Sequence, residues 1–335
     1  MSPSAFDLVT GSAGFIGSTL VDHLLAAGRT VVGVDSLTPT YDPLVKLRNL
    51  GAASVHEEFT FQTDDLANMS VAPLLDGVDT VYHLAGQPGV QTSWGSGFTE
   101  HLDRNVLVTQ RLLEAALEAQ VRRVVLASSS SVYGTVEGPT TEDDPVRPLS
   151  PYGVTKLAAE HLAAVYAERG LDVVALRLFT VYGPRQRPDM AMHRMIASAL
   201  DGVRFPLRGN GSQRRSFTYV GDVVDAVARV GAASQINELV LNVGSTVTTA
   251  LIDVLDEVGR LVGRAVPIEQ HERPPGDPDL THAVVDRLRA AVDWEPSTTM
   301  VQGLAAQVLH QRSLQVVSNQ SENQITPTDY SISVG

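Results

Sequence analysis

Cysteine is absent from the 335 residues, aromatic side chains make up only 5%, and cations are scarce beside acids. Without cysteine there is no disulfide framework, no thiolate nucleophile and no thiolate zinc site. Lys and Arg number 25 against 38 Asp and Glu, which leaves a formal charge of −13. Nucleic acid and anionic membranes need cationic surfaces, so neither is expected as a partner. A small anionic ligand stays open, because a few local cations suffice. Long apolar runs are missing as well. Residues 80–99 are uncharged but rich in Gly, Pro, Gln and Ser, so they do not read as a membrane span. The first seven residues have neither the basic nor the apolar character of a secretory leader. The expectation is a cytoplasmic protein with one large α/β unit or two domains.

What is present alternates in period. Residues 5–10, 31–35, 78–85, 124–128 and 172–178 are short, β-branched apolar runs, as strands covered on both faces should be. Between them, residues 15–27, 102–119 and 152–169 carry Leu, Val and Ala at helical spacing, with Gly28 and Gly170 just past two helix ends. This predicts βαβ units in a Rossmann-type, doubly wound parallel sheet. After Leu178 the texture changes to Gly, Pro and Arg, with helical stretches at 190–200 and 249–262 and a strand at 238–243. We expect a first unit, the Rossmann-type sheet, over 1–178 that residues 216–247 rejoin. A smaller, interleaved substrate unit takes 179–215 and 248–312, and a flexible polar tail takes 313–335.

The first strand runs into Gly11-Ser12-Ala13-Gly14-Phe15-Ile16-Gly17 and directly into a helix. Gly11, Gly14 and Gly17 permit a tight turn and close approach of a pyrophosphate, which the amides at Phe15 and Ile16 would meet. Asp35 ends the next strand, where a carboxylate binds ribose hydroxyls and repels a 2′-phosphate, favouring NAD over NADP. Downstream, Ser150-Pro151 reads as a cap and first helical position. Tyr152 and Lys156 then share one helix face. An ammonium beside a phenol lowers its proton affinity, which makes the pair a proton-transfer device. Ser128 to Ser131 end a strand at the carboxyl edge of the sheet, where ligands of such folds bind.

Together these motifs resemble the extended short-chain dehydrogenase/reductases of the nucleotide-sugar epimerase/dehydratase group, over nearly the whole chain. The resemblance implies a catalytic trio of Ser129, Tyr152 and Lys156. It also implies cofactor contacts at Asp65, Leu66, Leu84 and Ala85, with Asn105 as a structural residue beneath them. Ser130 and Ser131 stand where the dehydratases carry acids, and Phe179 to His193, with Thr180 and Arg187, is similar to the UDP-glucuronate 4-epimerases. An Arg fork suits a carboxylate. The implied substrate contacts are Val90, Ser130, Ser131, Thr180, Arg187, Met192, Arg215 and Arg273, with a UDP-hexuronate as ligand and a homodimer as assembly. Gln91 departs from the pattern, standing where relatives often carry Arg, and so does Ser129, where Thr is frequent. No two of the nine His have metal-ligand spacing, so no metal is expected. UDP-glucose 4-epimerisation, UDP-glucuronate decarboxylation and a catalytically silent NAD-binding scaffold remain as alternatives.

Overall fold

The computed structural model describes residues 6–272 and 278–323, with side chains followed to residue 315. Its centre is a parallel sheet of seven strands in the spatial order β3-β2-β1-β4-β5-β6-β11. These are β1 (Phe6–Thr10), β2 (Val31–Asp35), β3 (Phe59–Thr63), β4 (Val78–His83), β5 (Arg123–Ser129), β6 (Val173–Leu178) and β11 (Val240–Val243). The order reverses between β1 and β4, which opens a crevice at the carboxyl ends of those strands.

Both faces of the sheet are covered, as the apolar runs require. On one side lie α1 (Phe15–Ala26), α2 (Pro43–Leu50) and α7 (Val220–Ala232). Leu20, Val21 and Leu24 of α1 and Val223, Val227 and Val230 of α7 bury against Val9, Val125 and Val174. The other side carries α3 (Gly97–Leu102), α4 (Val108–Glu118) and α5 (Pro151–Glu168). Here Leu112, Leu113, Ala159 and Ala163 pack on Leu8, Val81 and Val124. Each fully buried aliphatic side chain contributes about 1.5–3 kcal/mol. The predicted helix over 102–119 is interrupted by a π-helical turn at Asp103–Leu107. Such turns recur at functional sites.

A third core lies beyond the carboxyl edge, among α6 (Ala191–Asp201), α8 (Leu251–Val262) and α10 (Met300–Asn323). Short strands brace it. β7 (Val181–Tyr182) pairs with β10 (Thr218–Tyr219), β8 (Phe205–Arg208) with β13 (Ile268–His271), and β9 (Arg214–Arg215) with β12 (Thr249–Ala250) and β14 (Leu280–Thr281). The helix α9 (Asp286–Val292) returns to the main sheet beside β11. The expected tail from residue 313 is corrected by the structure, because α10 continues without a break to Asn323. The residues after it lie outside the described ones. No helix among the described residues is long and apolar enough to cross a membrane.

Candidate active site

A cavity of about 430 Å³ occupies the crevice above the sheet. That size is within the range of small-molecule sites. At one end α1 begins at Gly14, which caps the helix without a side chain. The turn before it is tightly closed: a Cβ on Gly17 would stand 2.1 Å from the Gly11 carbonyl oxygen, and one on Gly11 2.8 Å from the Ala85 amide. The chain therefore approaches itself so closely here that only glycine fits, leaving the first helical turn bare toward the cavity.

Asp35 closes this end. Its carboxylate accepts from the Leu37 amide at 2.8 Å and the Ala13 amide at 3.2 Å, and pairs with Lys46 Nζ at 3.4 Å. Lys46 belongs to α2, a helix of only eight residues that the periodicity did not single out. Tyr41, in the loop before α2, presents a buried hydroxyl with no protein partner. Asp65 lines the wall as expected, but both of its oxygens accept from Arg104 at 3.3 Å. Leu66, Leu84, Ala85 and Val90 complete this wall, with Phe15 and Ile16.

The other end gathers the serines and the Tyr-Lys helix. Ser150 caps α5, accepting from the Gly153 amide at 3.2 Å. A Cβ on Gly153 would stand 2.6 Å from the Ser131 carbonyl oxygen, so this glycine lets the helix start press against the serine turn. Ser129 Oγ accepts from the Ser131 amide and donates to Ser131 Oγ, both at 3.1 Å. Ser129, Ser130, Ser131, Tyr152, Lys156, Thr180 and Arg187 all line the cavity. The carboxylates among the lining residues are Asp35, Asp64 and Asp65, all at the α1 end. The Tyr152 end therefore offers hydroxyls and cations.

Burial raises the Tyr152 phenol above its ordinary value, while the Ser129 hydroxyl and the Arg187 guanidinium pull the other way. Lys156, expected to depress the phenol, is not among the groups that shift it here, and burial dominates. Lys156 donates to the Ala127 carbonyl at 2.9 Å. Its ammonium is pushed down to about 8 by burial, with Glu160 opposing the shift. His101, which the sequence pattern did not mark, sits edge-on to the Tyr152 ring at 5.8 Å.

A buried polar chain supports both ends from below. Asn105, in the π-helical turn, accepts from the Gln87 amide at 2.8 Å and donates to the Gln87 carbonyl and Thr155 Oγ1, both at 3.0 Å. Thr109 donates to the Asn105 carbonyl at 2.7 Å, so it must accept from His83 Nε2. His83 Nδ1 then accepts from Thr10 at 2.8 Å. The network thus fixes a neutral imidazole, and burial lowers its proton affinity to about 3.

Two expected substrate residues fall elsewhere. The Met192 side chain is buried in the third core and does not reach the cavity wall. Arg215 is turned to backbone carbonyls, donating to those of Arg214 at 2.8 Å and Pro278 at 2.6 Å. Arg273 lies outside the described residues. Among the described residues no cluster of three or more His, Asp or Glu could hold a metal.

Residues 8–244 match the NAD dependent epimerase/dehydratase family. A protein of Bacillus subtilis named an uncharacterized UDP-glucose epimerase is 39% identical over 92% of this chain and 98% of its own. A UDP-glucuronate 4-epimerase of Thermodesulfobacterium geofontis is 34% identical over 89% and 93%. The solved UDP-glucuronic acid 4-epimerase of Bacillus cereus, in complex with UDP-glucuronic acid and NAD, superposes with a TM-score of 0.89. It is 37% identical, over 92% of this chain and 99% of that one.

Proposed function

The chain belongs to the NAD dependent epimerase/dehydratase family, and from that premise we propose that it interconverts UDP-glucuronate and UDP-galacturonate by epimerisation at C4, with NAD as cofactor. One observation carries the choice of sugar: the cavity end that holds Tyr152 has Arg187, Thr180 and the serines 128–131 in its wall and no carboxylate. A guanidinium fork with hydroxyls around it matches a planar carboxylate at C5 of the sugar. The bare start of α1 and the buried Asp35 fit a dinucleotide, whose pyrophosphate and ribose hydroxyls need amides and an acceptor. NAD, when bound, supplies reversible oxidation of the C4 carbinol.

The chain's own groups do the rest. Tyr152 takes the C4 hydroxyl proton and returns it, and Ser129 holds the reacting oxygen. Lys156, anchored on the Ala127 carbonyl, keeps a positive charge beside them. The 4-keto sugar formed in passing is a β-keto acid, prone to lose CO2 when its carboxylate bond aligns with the ketone π system. Arg187, Thr180, Ser130 and Ser131 hold the carboxylate out of that alignment, a matter of positioning. Leu102, Leu107 and Val165, exposed on the α3–α5 face, are the surface we assign to a second copy of the chain.

Arg187→Ala tests the reading. Loss of one charged hydrogen-bonding partner costs about 1.5–3 kcal/mol, so kcat/KM for UDP-glucuronate should fall by roughly tenfold to a hundredfold. Unchanged turnover and affinity would overturn it. UDP-glucose 4-epimerisation is the second reading. It is favoured by the pairing of Arg187 with Asp189, which leaves the guanidinium already balanced for an uncharged sugar.

A further inference from the structure

Arg187 faces the cavity, yet its fork is already engaged. Nε donates to Asp189 Oδ1 at 3.0 Å and Nη2 to Oδ2 at 2.9 Å. This is the bidentate geometry that a sugar carboxylate would need to make. The two partners differ in setting: the Arg187 side chain is 20% exposed and that of Asp189 53%. Asp189 itself is not part of the cavity wall.

The backbone carrying the pair is held independently of it. Gln186 is buried and donates to the Val181 carbonyl at 3.1 Å. Its oxygen accepts from the His193 amide and from Gln307 Nε2, both at 2.8 Å. The Met190 amide donates to the Arg187 carbonyl at 3.1 Å. The loop therefore stays in place while the two side chains are free to change partners. Burial works to raise the Asp189 carboxyl, but Arg187 outweighs it and holds it below the ordinary carboxylate value, so Asp189 is charged at neutral pH. The Tyr41 hydroxyl, buried without a protein partner, lies within the field of both charges.

We propose that Asp189 is a specificity-determining residue, an internal carboxylate that occupies Arg187 until the carboxylate of a uronate sugar replaces it. With a neutral sugar Asp189 stays in place and Arg187 remains balanced. The proposal rests on the uronate reading above. Preference for a uronate is then a difference between two ion pairs, and Asp189 sets its size. The exchange favours the sugar because its pair forms inside the cavity, where charges are less screened, and Asp189 returns to water.

The test is calorimetric binding of UDP-glucuronate and UDP-glucose to the NAD-loaded protein, in a Tyr152→Phe background that stops turnover. An exposed ion pair is worth a fraction of a kcal/mol to about one. Asp189→Asn should therefore tighten UDP-glucuronate by about twofold to fivefold, leave UDP-glucose unchanged or weaker, and so widen the ratio of the two Kd values. Asp189→Ser should do the same, with thermal midpoints and NAD retention checking the fold of each. An unchanged ratio in both variants overturns the proposal. An Arg187→Ala arm separates the two ideas. If the parent protein lacks a preference for UDP-glucuronate, or keeps it without Arg187, the uronate reading fails and the proposal with it. If the preference exists, depends on Arg187 and ignores Asp189, the proposal alone fails.

Discussion

Replacing Glu160 by Gln should alter the activity profile through Lys156 and the stability through Arg177, by different amounts and with different remedies. Glu160 lies one turn beyond Lys156 on α5. Its oxygens accept from Arg177 Nε at 3.0 Å and Nη2 at 2.8 Å, with side chains only 5% and 6% exposed. Ser128, the neighbour of Ser129, donates to the same carboxylate. The ion pair thus ties the helix of Tyr152 and Lys156 to the strand that carries the serines. Removing one partner of a buried pair leaves the other charge uncompensated, at a cost of about 3–5 kcal/mol. The thermal midpoint should drop by roughly 4–7 °C in a chain of 335 residues. The second effect is on protons. Lys156 is held at about 8 by burial, with Glu160 opposing. Without that carboxylate burial acts alone, and Lys156 deprotonates at lower pH. If the reaction needs the ammonium, kcat/KM falls as pH rises through about 8 in the parent protein, and this descending limb moves to lower pH in Glu160→Gln. The double variant Glu160→Leu/Arg177→Met, which replaces the pair by apolar groups, should regain most of the lost thermal stability but keep the displaced limb. Initial rates across the neutral and alkaline range decide the matter. A limb that stays in place in both variants would refute the link between Glu160 and Lys156, whatever the stability does.

Other consequences are simpler to state. Gly17→Ala puts a methyl within 2.1 Å of the Gly11 carbonyl oxygen. It should cost about 1–3 kcal/mol of stability and most of the bound NAD. Normal cofactor content after purification would contradict the close packing. His83 is neutral in the fold, with its proton affinity at about 3, and titrates near 6.5 when unfolded. Unfolding therefore takes up a proton between those values. The stabilising contribution is complete above about 6.5 and lost as pH falls, at about 1.4 kcal/mol per pH unit. Urea unfolding should show a shallower acid slope for His83→Gln, and identical slopes would rule the imidazole out as the cause.

The half of the molecule that binds the dinucleotide was legible because backbone needs dictate its residues. The close approach of Gly11 to Ala85 and of Gly17 to Gly11 admits only glycine, and Asp35 ends a strand of unbroken apolar character. The Tyr152–Lys156 face was legible from helical spacing and its cap. Less legible was whatever borrows its stability from tertiary contacts. Strand β3 reads Phe-Thr-Phe-Gln-Thr at the sheet edge, too polar to signal a covered strand. The α2 helix is only eight residues long, too short to show a helical period, so it does not mark Lys46, which reaches Asp35 from it. Helix α7 is rich in β-branched valines, yet packs on α1 with Val223, Val227 and Val230 fully buried. The polar residues after 312 gave no apolar period, but α10 carries its hydrogen bonding through them to Asn323. Met192 and Arg215 show the limit of carrying roles by motif. A side chain's position in a pattern does not say whether it turns to the cavity, the core or a nearby carbonyl.

Product identification by NMR, with CO2 assayed in parallel, decides between C4 epimerisation of a uronate and its alternatives. The purified, NAD-loaded protein is incubated separately with UDP-glucuronate, UDP-galacturonate and UDP-glucose. The two uronates should converge on one equilibrium mixture without release of CO2, and UDP-glucose should be turned over far more slowly. Turnover of UDP-glucose with none of UDP-glucuronate, or stoichiometric CO2 from UDP-glucuronate, would contradict C4 epimerisation of a uronate.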